Sequence, residues 1–313
     1  MKLITTDMDG TLLNEKSEVS PENAKAIRKA QELGIEVVIA TGRSYKAAAK
    51  PLIEAGLSCP IICLNGAQVY LKNGELIRNI ALDKEACRKI ELACTSESSY
   101  FEIFTSAGGY SINRDAFIHI LVDVMKAHYP NVETNVIKEK VKQRFQDEKI
   151  QTVDDFDHIF NNDEIDVFKF LTFSLEDDAL QRIREQLKDE HDLTITSSGH
   201  QNLEFNHRDA NKGAALAFYS SRQGIEQQDV MAIGDNYNDF SMLEIAGLSV
   251  AMENAALGIK ETCDFTTKNN SGHRVAFAIE KILKGGIRRL FGKAFTASNV
   301  ELPKITFTKI LAS

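Results

Sequence analysis

Asp7 and Asp9 flank Met8 at the end of an apolar opening stretch, Met1-Lys-Leu-Ile-Thr-Thr-Asp-Met-Asp-Gly-Thr-Leu-Leu13. Alternate residues of an extended strand face the same way, so both carboxylates could converge on one centre. Carboxylates a few ångströms apart repel each other and resist full ionisation unless a cation lies between them. The pattern therefore implies a divalent metal, Mg2+ by preference, which takes hard oxygen ligands in octahedral geometry. Alone, Asp-x-Asp-Gly reads as a strand-ending turn, because Asp and Gly are ordinary turn residues. A second acidic cluster changes the balance: Gly234-Asp235-Asn236-Tyr237-Asn238-Asp239 follows the apolar run Val230-Met-Ala-Ile233, and Lys212 opens a helix between the two clusters. With Thr41 at another strand end, Asp7, Asp9, Lys212, Asp235 and Asp239 supply the parts of a phosphoryl-transfer site: carboxylates for a metal, a carboxylate nucleophile and a cation for phosphate.

The elements that must position these residues are legible. Leu3 to Thr6 reads as a short strand buried on both faces, and Gly10 lets the chain turn after it. Open α/β sheets bind ligands at the carboxyl ends of their strands, where Asp7 and Asp9 would sit. Ser20-Pro21-Glu22 starts a helix, with Ser as cap and Pro in the first turn. Ile35 to Ala40 is a second strand, ending at Thr41-Gly42-Arg43. A helix from about Ser44 to Ala55 leads to a third strand, Pro60 to Leu64, ending at Asn65-Gly66. Asn73-Gly74 then signals a hairpin. This alternation predicts a Rossmann-like α/β fold with a parallel, doubly wound sheet.

From Asp83 to about Gly199 the pattern becomes that of an α+β insert, with helices near 83–95, 115–128 and 177–190. Its strands, Tyr100 to Phe104 and Phe168 to Phe173, are aromatic-rich, and the polar stretch 138–166 reads as loop-rich with room for a short helix. The α/β style returns at Asn202-Leu-Glu-Phe205. A helix opened by Asn211-Lys212-Gly213, strands at 230–233 and 248–252, and a closing helix near 272–284 complete it. The expected division is a catalytic core of 1–82 and 200–284, a cap of 83–199 and a tail of 285–313.

Composition limits the function classes. The 313 residues suffice for about two domains, and 43% hydrophobic with 26% charged residues describes an ordinary globular chain. A net charge of −8 argues against a general nucleic-acid binder. No apolar run has the roughly 18 residues of a membrane span. The first residues enter a strand with no leader pattern, so a cytoplasmic location is expected. Cys59, Cys63, Cys87, Cys94 and Cys263 lack metal-type spacing and read as reduced thiols. The tail is basic: Ile287, Leu290, Phe291 and Phe295 beside Arg288, Arg289 and Lys293 fit either a short amphipathic helix touching a membrane or acidic partner, or an ill-packed end.

Asp7-Met-Asp9-Gly-Thr11, Thr41-Gly42-Arg43, Lys212 and Gly234-Asp235-x-x-Asn238-Asp239, in this order and context, resemble the four signature segments of the haloacid-dehalogenase superfamily. The insert resembles the type IIB cap (C2B) of its Cof-type, YidA-like branch of sugar-phosphate phosphatases, and the likeness spans about residues 1–283. The resemblance implies that Asp7 is the nucleophile and a metal ligand, forming an aspartyl-phosphate. Asp9 would serve as general acid and then base, its backbone carbonyl touching the metal. Asp235 would bind Mg2+ directly, Asp239 would support the metal shell, and Asn236 is a further ligand candidate. Thr41 and the Gly42 amide would hold the phosphoryl group, helped by the Met8 amide and Asn238, with Lys212 balancing charge. Arg43 would meet the phosphate or pair with an acid, and Asn65-Gly66 would be a substrate-facing turn or a plain strand end. Asn113-Arg114-Asp115 could line the cap's substrate face. Asp9 must be protonated when the leaving group departs, so burial under the cap is expected to raise its pKa. The expected substrate is a small phosphorylated metabolite, with no nucleic-acid or membrane partner and a monomer or homodimer as the assembly. A sugar phosphomutase, or a phospho-ligand-binding regulator without turnover, would use the same residues.

Overall fold

The computed structural model describes residues 1–112, 118, 119, 122, 123, 126, 133–198, 201–267 and 273–284. Most of the helix expected over 115–128, the segment 113–115 and the basic tail lie outside them. In chain order the strands are β1 (Leu3–Thr6), β2 (Glu36–Ala40), β3 (Ile61–Cys63), β4 (Gln68–Tyr70), β5 (Leu76–Asn79), β6 (Tyr100–Thr105) and β7 (Gly108–Ser111). There follow β8 (Ile150–Thr152), β9 (Val167–Phe173), β10 (Leu193–Thr196), β11 (Asn202–His207), β12 (Val230–Gly234), β13 (Leu248–Ala251) and β14 (Phe265–Thr266).

One sheet has the order β14-β13-β12-β1-β2-β3-β4-β5. It is parallel from β14 to β3 and antiparallel across the β3-β4-β5 hairpins. Every residue of β1 is buried, as a strand covered on both faces requires. The register aligns Thr6 with Ile233 on one side and with Ile39 on the other. The residues that follow these three strands therefore emerge along one edge.

The helices on this sheet begin where their caps dictate. The Ser20 hydroxyl accepts from the Asn23 N–H at the start of helix Pro21–Glu32, whose buried stripe is Ala24, Ile27 and Ala30. Asn211 caps helix Lys212–Arg222 by accepting from the Ala214 N–H at 2.8 Å.

The insert forms a second sheet, β10-β11-β9-β6-β7-β8, all antiparallel except β7 with β8. Phe101, Phe156, Phe160 and Phe170 fill a cluster on this sheet, with Phe101 stacked on Phe170 at 5.9 Å between ring centres. Phe104, Phe145 and Leu171 instead join the apolar core of the first sheet, so the two sheets share buried surface.

Two expectations need correction. Part of the stretch read as loop is helix Thr134–Glu148, followed by β8 and a short helix, Asp157–Phe160. Ile137, Val141 and Phe145 give it a buried stripe at every fourth residue, too narrow to stand out in a polar segment. The boundary expected near 200 also moves: β11 pairs with β9 and β10, so the chain stays in the second sheet to His207. A short run such as Leu203-Glu-Phe205 suits a strand of either sheet, and the backbone pairing assigns it. Among the described residues, no helix is long and apolar enough to cross a membrane. The five cysteines are unpaired, four of them buried.

Candidate active site

The edge of the first sheet collects its charged residues within a few ångströms. Asp7 follows β1, its N–H bonded to the Ile233 carbonyl at 2.9 Å. The chain then coils tightly through Met8–Leu12, with Gly10 at φ +77°. A Cβ at Gly10 would lie 2.4 Å from the Asp235 Oδ2, so the close approach of the two acidic loops demands glycine there. Thr11 Oγ1 donates to Asp235 Oδ1 at 2.9 Å. Asp239 Oδ2 accepts from the backbone N–H groups of Asp235 (2.9 Å) and Asn236 (3.1 Å), which fixes the loop after β12. Lys212, wholly buried at the head of its helix, donates to Asp7 Oδ1 and to Asp239 Oδ1, each at 2.5 Å.

Carboxylate oxygens of Asp7, Asp235 and Asp239 lie within 4.8 Å of one another. Burial and the nearby Asp239 push the Asp7 carboxyl well above its ordinary pKa, and the same causes push Asp235 up to about 7. Burial works against the charge on Lys212, but Asp239 and Asp7 outweigh it and hold the ammonium above its ordinary value. Three buried carboxylates thus face one buried cation. A divalent ion fits this donor set in both charge and oxygen chemistry. Asp7 and Asp235 are the residues that would hold it, while Asp239 is turned to the Lys212 ammonium and to two backbone N–H groups of its own loop.

The loop after β2 lies alongside. Thr41 is buried, its Oγ1 accepting from the Arg43 N–H at 3.2 Å. The loop after β3 braces it: Asn65 N–H donates to the Thr41 carbonyl and Leu64 N–H to the Arg43 carbonyl, each at 3.0 Å. Leu64 (φ +49°) and Asn65 (φ +59°) are both left-handed, a conformation that costs a Leu side chain and is sustained by these bonds. Asn238 Nδ2 reaches Asn65 Oδ1 at 3.4 Å, joining this loop to the acidic one. The Met8 side chain is buried in the core, which leaves only its backbone for the site.

Two residues depart from expectation. Asp9 is not buried: its side chain is 58% exposed and is held by Arg43, Nε to Oδ2 at 2.7 Å and Nη2 to Oδ1 at 2.5 Å. A bidentate guanidinium–carboxylate pair is the strongest geometry open to these two groups. Asn236 does not join the carboxylates either. Its Oδ1 accepts from the Tyr237 N–H and its Nδ2 donates to the Ser198 carbonyl, each at 2.9 Å, so it ties the acidic loop to the cap.

A buried polar seam joins the two sheets. Lys169 of β9 donates to Glu204 Oε1 (2.9 Å) and to the Gly42 carbonyl (3.0 Å). Glu204 of β11 also accepts from Asn65 Nδ2 (2.6 Å) and Ser198 Oγ (3.0 Å). Asn206 accepts from Asn65 and donates to the Leu64 and Phe168 carbonyls. Burial opposes the charge of Glu204, yet Lys169 and the donors around it hold the carboxyl below its ordinary value. The available signal was a charge inside an apolar strand, Phe168-Lys-Phe170 and Leu203-Glu-Phe205. Lys169→Met leaves Glu204 buried and unpaired and is expected to cost about 3–5 kcal/mol in urea unfolding. Adding Glu204→Leu should recover much of that loss, and a double variant no better than the single would refute the pairing.

A family model for haloacid dehalogenase-like hydrolases matches residues 4–279. The chain belongs to that family. This haloacid dehalogenase-like hydrolase is 37% identical to the 5-amino-6-(5-phospho-D-ribitylamino)uracil phosphatase YwtE of Bacillus subtilis (strain 168), over 91% of this chain and 99% of that one. It is 35% identical to phosphatase YwpJ of the same organism, over 90% and 100%. A solved haloacid dehalogenase-like hydrolase from B. subtilis superposes with a TM-score of 0.82 at 35% identity, over 90% of this chain and 99% of that one. Named phosphatases among the relatives and this fold make the chain a phosphatase of phosphorylated small molecules.

Proposed function

We propose that this hydrolase is a Mg2+-dependent phosphomonoesterase working through an aspartyl-phosphate on Asp7. The observation that carries the proposal is the buried trio of Asp7, Asp235 and Asp239 around the ammonium of Lys212. Asp7 attacks phosphorus in line with the leaving oxygen. Asp9 protonates the departing alcohol, then takes a proton from the water that hydrolyses the acyl phosphate. Arg43, bound to Asp9 at the open side, is placed to exchange that carboxylate for the incoming phosphate. Thr41, the Gly42 and Met8 amides, and Asn238 hold the phosphoryl oxygens, while Lys212 offsets the charge gathering there. A bound Mg2+ would screen the ester's negative charge from the carboxylates.

The substrate we propose is a sugar or sugar-alcohol phosphate. YwtE, at 37% identity, and YcsE of B. subtilis, at 32%, both carry names specifying a phosphoribityl compound, which supports that class. The test is phosphate release from a panel of such esters, with isomer formation followed in parallel to detect a mutase. Chelation is expected to abolish release and Mg2+ to restore it; unaltered turnover after metal removal refutes the proposal.

The pH dependence has a definite sign. A carboxyl pushed up to about 7 when folded, against an ordinary 3.8, binds a proton more readily in the native state. Stability of the metal-free protein therefore falls as pH rises from about 4 to 7 on account of Asp235. Mg2+ has to displace that proton, so its affinity should weaken progressively below pH 7. Calorimetric titration at pH 6 and pH 8 checks this, and equal affinities would contradict it.

A further inference from the structure

Asn254 stands just past β13 on the exposed side of the acidic cluster. Its carboxamide has three partners on three different elements. Nδ2 donates to the Gly10 carbonyl and to Asp235 Oδ2, each at 3.1 Å. Oδ1 accepts from the Arg274 guanidinium at the start of helix Arg274–Leu283. The segment carrying Asn254 is itself fixed to the acidic loop. Met252 N–H donates to the Gly234 carbonyl, and Ala256 N–H to the Asp235 carbonyl, each at 3.0 Å. Since Thr11 already donates to Asp235 Oδ1, both oxygens of this carboxylate receive a side-chain hydrogen bond.

An exposed Asn in a loop commonly bonds its own neighbouring backbone. Asn254 does not: its partners lie 19, 20 and 244 residues away in the chain. One donor thus bridges the turn after the nucleophile and the carboxylate that crowds against it, the approach for which Gly10 is required. Asp7 and Asp239 both repel the Asp235 carboxylate, and the donors from Thr11 and Asn254 oppose that repulsion from its two oxygens.

We propose that Asn254, steadied by Arg274, is a positioning residue that presents the Asp235 carboxylate to a divalent cation shared with Asp7. The proposal rests on the metal reading given above. Partners that orient a metal ligand typically contribute 10- to 100-fold in affinity. The exposed position means that truncation opens no core cavity, so Asn254→Ala isolates the lost donor.

The test is calorimetric titration of Mg2+ into the full chain, wild type and N254A, without substrate at pH 8, with thermal melts alongside. The expected result is a dissociation constant raised about tenfold or more in N254A, with a parallel rise in the Mg2+ concentration for half-maximal phosphate release. A purely structural role would lower the melting temperature and leave the Mg2+ dissociation constant in place; an unchanged constant overturns this proposal alone. Wild-type protein that binds no Mg2+ removes the metal reading and this proposal with it.

Discussion

Asp7→Asn is expected to lower phosphate release by at least about 10⁴-fold, because a nucleophile removed from a cooperating set takes with it most of the rate the set provides. The amide cannot form an acyl phosphate, so rapid-quench labelling with a radioactive ester should leave no protein-bound phosphate. The fold should not suffer. Asp7 is ionised at a cost, buried beside Asp239, and Lys212 retains its bond to Asp239 when Asp7 becomes neutral. The variant should therefore melt at or above the wild-type temperature in the absence of metal. Near-normal turnover by Asp7→Asn would place the nucleophile elsewhere.

Lys212→Met should show the opposite profile, damaging stability as well as rate. The methionine matches the buried stem but removes the one ammonium between Asp7 and Asp239. Stranding buried carboxylates costs about 3–5 kcal/mol when they stay ionised. That cost should be greatest in metal-free protein at pH 8 and should shrink as the pH falls and the Asp7 carboxyl, raised by burial, takes up a proton. Mg2+ should stabilise the variant more than the wild type, since it becomes the sole cation at the trio. The rate should fall by about 10²–10³-fold, as for removal of one preorganised group facing the transition-state charge. Urea unfolding with and without Mg2+ measures the first effect and steady-state kinetics the second. A Lys212→Met protein as stable as wild type at pH 8 would mean that the trio is not charged as described.

Several residues act in sequence-local ways, and those were readable in advance. Four residues of β1 are apolar or β-branched and are followed at once by Asp-x-Asp-Gly. In a parallel sheet that order has one outcome: the acids leave at the carboxyl edge. The same holds for Ile35 to Thr41 and for Val230 to Asp235. A helix cap such as Asn211 is equally local, and it sets where Lys212 begins its turn. The family resemblance added roles to these positions, and the family itself is confirmed by the match over residues 4–279.

Whatever depended on a partner distant in the chain needed the fold. Lys169 and Glu204 are charges in apolar strands until pairing of β9 with β11 sets them side by side under Gly42. Arg43 had two outcomes open, and the observed one depends on where a tight coil leaves Asp9. Asn254, 244 residues from Gly10, carries no local mark at all. The strand pattern, with the helix cap at Asn211, placed acids, a threonine and a lysine at one sheet edge. Tertiary structure decided which oxygens are free, which are pinned and which side chains brace them. Strand periodicity is a property of neighbours in sequence, whereas hydrogen-bond satisfaction in a buried site is a property of neighbours in space.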